Sequence, residues 1–338
     1  MRPAIAVVYG GNSSEYEISV KSGKFVAENI DREKYEVFSV DFKGVSWKVV
    51  NVDGRDLPDG GVEIDKNDFS VTVGGRKTFL QYAFIMIHGT PGENGLFQAY
   101  LEMLGIPSSG CSSFVSALTF DKFSAKNHLR GTGICRLADD IFLHSADECT
   151  AEDAISRLGL PLFVKPTDNG SSFGVTKVKA PGDFAAAIDY AFSEGKTVLV
   201  EKFIAGREID DAVYFDGNSV VALPPVEIIP QKEYFDFEAK YEGWSREICP
   251  AEITEEEDRL IRDCSVKIYK RFGCTGFVRV DYFLTAEGLY FLEMNTVPGM
   301  TKESLVPKEI RAAGMEVGGF LSTIIETTFN GGRKDGCR

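Results

Sequence analysis

The chain has 338 residues, 43% of them hydrophobic, and a formal net charge of −14. This length predicts two or three domains with substantial cores, and the acidic balance argues against nucleic acid as a partner. No apolar run is long enough to cross a bilayer, and a first strand that begins at Ala4 leaves no room for a signal peptide. The seven scattered cysteines are typical of reduced thiols. We therefore expect a cytoplasmic protein that binds neither nucleic acid nor membranes.

The first 110 residues alternate signals for strands and helices. The apolar run Ala4–Tyr9 ends at Gly10-Gly11 and is typical of a buried parallel strand. Residues 12–14 then offer helix N-caps, with Glu15 in the first turn. Further elements are predicted at residues 35–40, 71–79, 82–87 and 94–104. The pattern favours an open α/β unit whose ligands bind at the ends of the strands.

Residues 111–204 predict a smaller α+β unit. Its elements are expected at residues 112–120, 121–130, 162–166, 175–178, 183–192 and 197–202. The Gly/Ser loop at residues 170–174 lies between two strands, so it is neither a Walker loop nor a dinucleotide fingerprint. Its amides and the hydroxyls of Ser171 and Ser172 can still cover phosphates, although such loops are commonly plain turns.

Several charged residues have two interpretations each. Lys165 lies on an apolar strand, where a lysine needs a partner, and a triphosphate would supply one. Lys122 is either a second phosphate ligand or a solvated helix residue, and Glu15 either binds a substrate ammonium group or complements the helix dipole. Backbone groups of residues 201–204 can bind the edge of an adenine, with Glu208 on the ribose, but an ordinary strand edge explains the same residues.

The last part of the chain, residues 205–330, is rich in strands and then helical. Strands are predicted at residues 208–215 and 220–229, and a helix at residues 254–272. Segment 231–250 mixes aromatic and charged residues without a clear period, and loops of this length are commonly functional lids. A hairpin around Glu287-Gly288 and two terminal helices complete the pattern.

Oxygen ligands are concentrated on that hairpin. Asp281 lies on its first strand, and Glu293 and Asn295 lie two residues apart on its second, so all three can face one side. An oxygen-only set suits Mg²⁺, which binds through one or two carboxylates together with substrate phosphates. Arg279 can hold a phosphate or a developing oxyanion. Solvated acidic residues are the ordinary alternative, but the apolar runs around them make unpaired charge costly, so the sequence predicts chemistry on a nucleoside triphosphate.

Together these segments resemble the D-alanine–D-alanine ligases of the ATP-grasp superfamily over nearly the whole chain. The motifs that carry the resemblance are, in order, residues 10–15 (GGNSSE), 88–95 (HGTPGENG), 121–122 (DK), 165–166 (KP), 170–174 (GSSFG), 201–202 (EK), 236–241 (DFEAKY), 279–281 (RVD) and 293–305 (EMNTVPGMTKESL). Such a set, in order and at family spacing, is specific.

The resemblance implies a three-domain ATP-grasp fold. Residues 1–110 would form an N-terminal substrate domain with an open parallel sheet, residues 111–204 a central ATP-grasp subdomain, and residues 205–330 a C-terminal subdomain with the metal site and the lid. ATP would lie between two sheets and activate one D-alanine as an acyl phosphate. A second D-alanine would then complete D-alanyl-D-alanine, a peptidoglycan precursor, with release of ADP and phosphate. The resemblance also implies two Mg²⁺ ions, with Mn²⁺ as a substitute, and a homodimer.

The same resemblance implies the role of each site residue. ATP would be bound by Lys122, Lys165, Ser171, Ser172, Glu201, Lys202, Ile204, Glu208, Lys240 and Phe283. The metal ions would be held by Asp281, Glu293 and Asn295. The amino acids would be bound by Glu15 and His88 in the first position and by Ser304 and Leu305 in the second. The oxyanion site would consist of Arg279 and the Gly299 amide, and the lid residue Tyr241 would close the pocket with Ser171 and Glu15.

Two other functions were weighed against this one on the same residues. A depsipeptide ligase of the same family would join D-alanine to D-lactate, but several such relatives carry His where this chain has Tyr241. A protonated His would favour a carboxylate over an amine-bearing competitor by charge, so Tyr favours the dipeptide. A non-catalytic ATP-binding relative would lack metal ligands or the arginine, and this chain retains both.

Overall fold

The computed structural model describes residues 2–170, 173–230 and 245–331 of the chain. Ser171, Ser172, Lys240 and Tyr241, together with most of the predicted lid, therefore lie outside the described residues. Three sheets of four to six strands and one separate hairpin form the described β-structure. Among the described helices, none is long and apolar enough to cross a membrane.

The N-terminal unit is built on a sheet whose central strand is entirely buried. Its elements are β1 (Ala4–Gly10), α1 (Tyr16–Asn29), β2 (Glu36–Lys43), β3 (Ser46–Val52), β4 (Arg55–Asp56), β5 (Val62–Glu63), β6 (Ser70–Val73), β7 (Arg76–Phe79), β8 (Tyr82–Ile85) and α2 (Leu96–Met103). All seven residues of β1 are buried, and β1 pairs in parallel with β2 and β8. The predicted open parallel sheet is confirmed at this centre, and antiparallel strands extend one edge.

The start of α1 differs from the sequence-based prediction. The helix begins at Tyr16, so Glu15 is itself the N-cap residue, and its side chain makes no capping hydrogen bond. The hydroxyl of Ser13 instead donates to the carbonyl of His88 at 2.8 Å and accepts from the Glu15 amide at 3.3 Å. The N-cap expected within residues 12–14 is therefore wrong, because Ser13 connects this turn to the segment after β8. As a result, Glu15 lies at the end of β1, at the sheet edge where α/β folds bind ligands.

The central part of the chain forms a small antiparallel sheet, with its last two helices packed on that sheet and its first two packed on the third sheet. Its elements are α3 (Ser113–Phe120), α4 (Lys122–Leu129), β9 (Asp140–Leu143), α5 (Ala151–Leu158), β10 (Leu162–Pro166), β11 (Thr176–Val178), α6 (Phe184–Glu194) and β12 (Val198–Lys202). The strand order is β11-β10-β12-β9. The predicted hairpin on both sides of the Gly/Ser loop is confirmed, since β10 and β11 pair antiparallel. β9 and α5 are not predicted from the sequence.

The C-terminal unit carries the third sheet. Its elements are β13 (Arg207–Phe215), β14 (Val220–Ala222), β15 (Val226–Pro230), β16 (Ser245–Ile248), α7 (Glu255–Phe272), β17 (Phe277–Thr285), β18 (Gly288–Asn295), α8 (Leu305–Ala312) and α9 (Val317–Gly331). The antiparallel order is β16-β15-β13-β17-β18, with β14 beside β13. The single strand predicted over residues 220–229 is two strands, because Pro224 and Pro225 cannot donate hydrogen bonds to a sheet.

The last helix connects the first and third sheets. Phe320 and Ile324 of α9 belong to the same buried cluster as β1 and β8, and the hydroxyls of Tyr82 and Thr328 lie 2.7 Å apart. The ring of Phe320 also packs edge-on against Phe277 of β17, with centroids 5.5 Å apart. The end of the chain thus fixes the N-terminal unit against the sheet that carries the oxygen ligands.

Candidate active site

A cleft opens where the three units meet. One cavity of about 530 Å³ is lined by Glu15 and His88 from the N-terminal unit, by Lys122 from α4, and by Arg279 and Glu293 from β17 and β18. A second cavity continues between the second and third sheets and shares Lys122, Arg279 and Glu293 with the first. The cleft therefore has a polar end among the three units and an end between two sheets, and the ends meet at three charged side chains.

The end between the two sheets is mainly apolar. Phe163 of β10, Ile204 after β12 and Phe283 of β17 line it. Apolar side chains beside polar groups suit a planar ring system that carries polar substituents. Lys202 and Glu208 line the same cavity, so the structure brings together the residues expected to contact a base and its ribose.

The hairpin of oxygen ligands points into this cleft. β17 and β18 pair antiparallel around the expected turn, with Asp281 directly opposite Glu293 and Arg279 directly opposite Asn295. Directly opposite residues share a face of the sheet, as do residues two apart. These four side chains therefore lie together, although they come from two strands.

The guanidinium of Arg279 contacts two carboxylates. Its Nε and Nη2 donate to Asp281 at 2.7 and 2.6 Å, and its Nε lies 3.0 Å from Oδ2 of Asp210. Asp210 belongs to β13, which pairs with β17 so that Asp210 is directly opposite Asp281. The sequence analysis missed Asp210, whose only signal is the acidic pair Asp210-Asp211 between apolar residues of the strand.

Carboxylates outnumber cations in this part of the cleft. Burial and the neighbouring Asp281 raise the pKa of Asp210 well above its ordinary value. In the described part of the chain, neither oxygen of Asp210 nor Oδ1 of Asn295 has a well-formed hydrogen bond, although all three atoms are buried. Such atoms destabilise a fold unless a ligand satisfies them. The Nζ of Lys122 lies 3.3 Å from Glu293. We name Lys122, Asp210, Arg279, Asp281 and Glu293 the Asp281 cluster.

These residues fit a magnesium site that substrate oxygens would complete. Asp281, Glu293 and Asn295 offer the oxygen donors that Mg²⁺ prefers, and such sites commonly combine one or two carboxylates with phosphates. Among the described residues, no three His, Cys, Asp or Glu side chains are grouped so that they could hold a metal ion alone. Asp281 accepts a hydrogen bond from Arg279. The described residues therefore supply only part of the coordination shell of a metal ion.

A second buried cluster centres on Glu201 of β12. Glu201 makes ion pairs with Lys126 and Lys165, and Lys126 also contacts Oδ2 of Asp140 at 2.6 Å. Burial alone would raise the pKa of Glu201, but the two lysines outweigh burial and lower that pKa to about 2. We name Lys126, Asp140, Lys165 and Glu201 the Glu201 cluster. Glu201 is therefore a charge partner of Lys165 within the chain, and phosphate binding by Lys165 stays a prediction.

The polar end of the cleft contains two neighbouring carboxyl groups. A Cβ on Gly170 would lie 3.0 Å from Oε2 of Glu15, so Glu15 reaches the base of the Gly/Ser loop. Glu93 lines the same cavity and accepts a hydrogen bond from the Gly89 amide at 2.8 Å. Burial, together with the charge of Glu15, raises the pKa of Glu93 to about 8. The sequence analysis gave Glu93 no role, because only its neighbours in space distinguish it.

The remaining predicted residues lie on the loop after β18 and at the start of α8. The Oγ of Ser304 accepts from the Thr301 amide at 2.9 Å and lies 2.7 Å from Oγ1 of Thr301. A Cβ on Gly299 would lie 3.1 Å from Oγ of Ser304, so these residues are adjacent, and Leu305 lines the cavity beside them. A hydroxyl at a helix N-terminus can receive a carboxylate.

The fold and this cleft define an ATP-grasp enzyme, in which a slot between two antiparallel sheets opens beside a pocket of charged groups. Family profiles identify the family within the ATP-grasp class to which the chain belongs. The profile described as D-ala D-ala ligase N-terminus matches residues 4–111, and the profile described as D-ala D-ala ligase C-terminus matches residues 132–326. The chain therefore belongs to the D-alanine–D-alanine ligase family.

Individual relatives agree with this assignment over their full length. A D-alanine–D-alanine ligase of Phocaeicola vulgatus is 43% identical over 330 residues, which are 97% of this chain and 100% of the relative. The crystal structure of a D-Ala:D-Ser ligase from Enterococcus faecalis has a TM-score of 0.86 at 32% identity. The match covers 96% of this chain and 99% of the Enterococcus faecalis chain. The crystal structure of the D-alanine–D-alanine ligase of Bacillus anthracis in complex with ATP has a TM-score of 0.78 at 29% identity. The match covers 99% of this chain and 100% of the Bacillus anthracis chain.

Proposed function

We propose that the chain joins two D-alanine molecules with ATP and so forms D-alanyl-D-alanine, ADP and phosphate for peptidoglycan synthesis. The observation that carries the proposal is the continuous cleft, because its apolar slot and its polar pocket meet at Lys122, Arg279 and Glu293. A triphosphate entering from the slot would meet an amino acid in the pocket at that point. The ligases of known name that match the whole chain support D-alanine as the substrate.

The first chemical step would activate a carboxylate. A carboxylate is a poor acyl donor, so that of the first D-alanine attacks the γ-phosphate and gives an acyl phosphate and ADP. We assign the ammonium group of this D-alanine to Glu15, and the charge on the transferring group to Lys122 and Arg279. These side chains would act mainly by holding the reactants in line and by neutralising charge.

The second step would form the peptide bond. The amine of the second D-alanine attacks the acyl carbon, and the tetrahedral oxyanion collapses with loss of phosphate. We assign the oxyanion to Arg279 and the Gly299 amide, and the carboxylate of the second D-alanine to Ser304 at the start of α8. Gly299 lies close to Ser304. This supports one pocket that binds both the oxyanion and the carboxylate of the second D-alanine.

The cofactor, the assembly and the location of the chain belong to the same proposal. Mg²⁺ bound by Asp281, Glu293 and Asn295 would supply positive charge that neutralises the transferring phosphoryl group. The buried Oδ1 of Asn295, which has no hydrogen-bond partner among the described residues, supports this assignment. The family resemblance adds two metal ions, a homodimer and a place in the cytoplasm.

Relatives of the chain are named for different second amino acids. The similar ligase from Enterococcus faecalis is named for D-Ala and D-Ser, whereas the full-length relatives are named for D-alanine alone. Tyr241 favours D-alanine over D-lactate by its lack of positive charge. D-Serine and D-lactate therefore serve as the competing acceptors in the test.

The test measures dipeptide and phosphate with the purified chain, ATP and Mg²⁺. D-Alanine alone should give D-alanyl-D-alanine and phosphate in equal amounts, and L-alanine should give neither. D-Alanine mixed with D-serine or D-lactate should still give mainly the D-alanine dipeptide. Absence of any dipeptide from D-alanine would contradict the proposed function, and a dominant mixed product would contradict only the acceptor.

A further inference from the structure

Two buried hydrogen bonds join the N-terminal unit to the loop that carries Gly299, and a third joins the two N-terminal residues that make them. His88, which follows β8, lies with Nδ1 3.0 Å from the carbonyl of Val297 and with Nε2 3.1 Å from Oγ of Ser22 on α1. The amide of Met300 donates to the same Ser22 hydroxyl at 3.3 Å. His88 is 5% exposed, and Ser22 and Met300 are fully buried. The contacts therefore hold the loop on both sides of Gly299.

The partners of His88 decide which ring nitrogen carries the proton. A carbonyl oxygen only accepts, so Nδ1–H must donate to Val297. Nε2 of the neutral ring then accepts, and the hydroxyl of Ser22 donates to it while accepting from the Met300 amide. Burial lowers the pKa of His88. The charge of Arg279 also lowers this pKa, and the charge of Glu15 raises it by less than burial lowers it. The lowered pKa agrees with a neutral ring.

We propose that Ser22 and His88 are positioning residues that fix the direction of the Gly299 amide, with His88 in the neutral Nδ1–H form. The proposal rests on the proposed ligase function and on the role of Gly299 as an oxyanion donor. An oxyanion donor is effective only when it is aimed in advance at the developing charge. Residues that hold Val297 and Met300 fix the two peptide segments that flank Gly299, so they set that aim.

This role differs from the one that the family resemblance implies for His88. A histidine near the first carboxylate would need a ring nitrogen available to the substrate, yet both nitrogens contact protein atoms. The backbone of His88 is also fixed, since its carbonyl accepts from the hydroxyl of Ser13 at 2.8 Å. His88 would thus influence the reaction through the Gly299 loop, and Ser22, which lies in the second turn of α1, would act together with it.

A second serine on α1 offers a matched control. Ser19 is also fully buried, and its hydroxyl donates to the carbonyl of Met86 at 2.6 Å and accepts from the Gly10 amide at 2.7 Å. Ser19→Ala therefore loses two buried hydrogen bonds of the same helix, as Ser22→Ala does, but leaves the loop at residues 297–300 untouched. A purely structural role predicts the same behaviour for both variants.

The decisive experiment compares the wild type, Ser22→Ala and Ser19→Ala by thermal unfolding, by kcat and by the ratio of phosphate to dipeptide. Both variants should lower the unfolding midpoint to a similar extent. Only Ser22→Ala should lower kcat, by about 10- to 100-fold. Only Ser22→Ala should raise the ratio above one, because a misdirected Gly299 amide slows attack by the amine and leaves the acyl phosphate to hydrolysis.

The outcomes separate this proposal from the function on which it rests. If the wild type forms dipeptide but Ser22→Ala matches Ser19→Ala in kcat and in the phosphate ratio, the positioning role is wrong and the ligase function stands. If the wild type forms no dipeptide, both the positioning role and the ligase function fail.

A second measurement does not need any variant to be active. It is the ¹⁵N spectrum of the histidines, with the His88 signals assigned by their loss in His88→Gln. The proposal requires the Nδ1–H tautomer, and an Nε2–H or doubly protonated ring at neutral pH would overturn it.

Discussion

Two buried clusters of charge line the slot between the second and third sheets, and they are balanced in different ways. In the Glu201 cluster, two lysines contact two carboxylates. In the Asp281 cluster, three carboxylates make ion pairs with Arg279 and Lys122. The first cluster is complete within the chain, whereas the second leaves carboxylate charge and oxygen atoms that the described residues do not satisfy.

The pKa shifts of the two clusters have opposite signs for a physical reason. Two lysines lower the pKa of Glu201 despite its burial, while burial and Asp281 raise the pKa of Asp210 despite the nearby Arg279. A buried carboxylate with enough cations ionises readily, and one without them resists ionisation. From this difference we expect the Glu201 cluster to act in stability and the Asp281 cluster to act in ligand binding.

The largest expected effect of this difference is on turnover. Glu293→Gln removes a charge from the Asp281 cluster and should lower kcat about a thousandfold, because several kcal/mol of charge stabilisation are lost. The unfolding midpoint should stay near that of the wild type. The control is Glu287→Gln, the same change at the hairpin tip, where the side chain is 68% exposed. Steady-state phosphate release measures both, and nearly normal turnover in Glu293→Gln would contradict the assignment.

The Glu201 cluster should affect stability instead. Glu201→Gln leaves Lys126 and Lys165 buried without their shared carboxylate, so the free energy of unfolding should fall by about 3–5 kcal/mol. Urea unfolding measures the change. Asp68→Asn is the control, because it breaks an exposed ion pair with Lys77, and such pairs contribute little. Equal small changes in the two variants would show that the Glu201 cluster is not a stabilising element.

A smaller effect is expected where one hydroxyl is removed. Ser304→Ala should weaken binding of the second D-alanine by about 1–3 kcal/mol, because its carboxylate loses a buried hydrogen bond. The first D-alanine should be affected much less, since Glu15 holds it on another unit. Initial rates over a range of D-alanine concentrations separate the two Michaelis constants. Equal increases in both constants would count against the placement of Ser304.

The Glu201 cluster should also make the stability of the protein depend on pH. The pKa of Glu201 is lowered from 4.5 to about 2 in the folded protein, so its contribution to stability is complete above pH 4.5 and is lost as the pH falls towards 2. The free energies of unfolding of the wild type and of Glu201→Gln should therefore converge in acid. Urea titrations at several pH values test this, and a constant difference down to about pH 3 would contradict it.

Local patterns in the sequence predict the elements that depend on near neighbours. The buried strand β1 and the hairpin of β17 and β18 are readable because apolar runs, turn residues and a period of two act over a few positions. The same period predicts that Glu293 and Asn295 share a face, as the structure has them. The family motifs extend the prediction to residues such as Ser304, whose neighbours along the chain are part of the signal.

Partners from distant segments could not be predicted. The sequence does not say that β13 pairs with β17 in the register that puts Asp210 opposite Asp281. It does not say that Lys165 meets Glu201, so from the sequence alone a triphosphate is the expected anion. The packing of α9 on the first sheet is equally hidden, because its apolar face would suit any buried surface. In each case the missing information is the tertiary contact, which no local pattern carries.

The most direct test of the account is a calorimetric titration of the chain with a non-hydrolysable ATP analogue, with and without Mg²⁺. The account predicts that Mg²⁺ strengthens nucleotide binding to the wild type, because the metal and the triphosphate together complete the Asp281 cluster. Glu293→Gln should lose most of this enhancement, and Glu287→Gln should retain it. Nucleotide binding that is independent of Mg²⁺, or an enhancement that survives in Glu293→Gln, would contradict the central claim that this cluster is the unfinished half of a metal–nucleotide site.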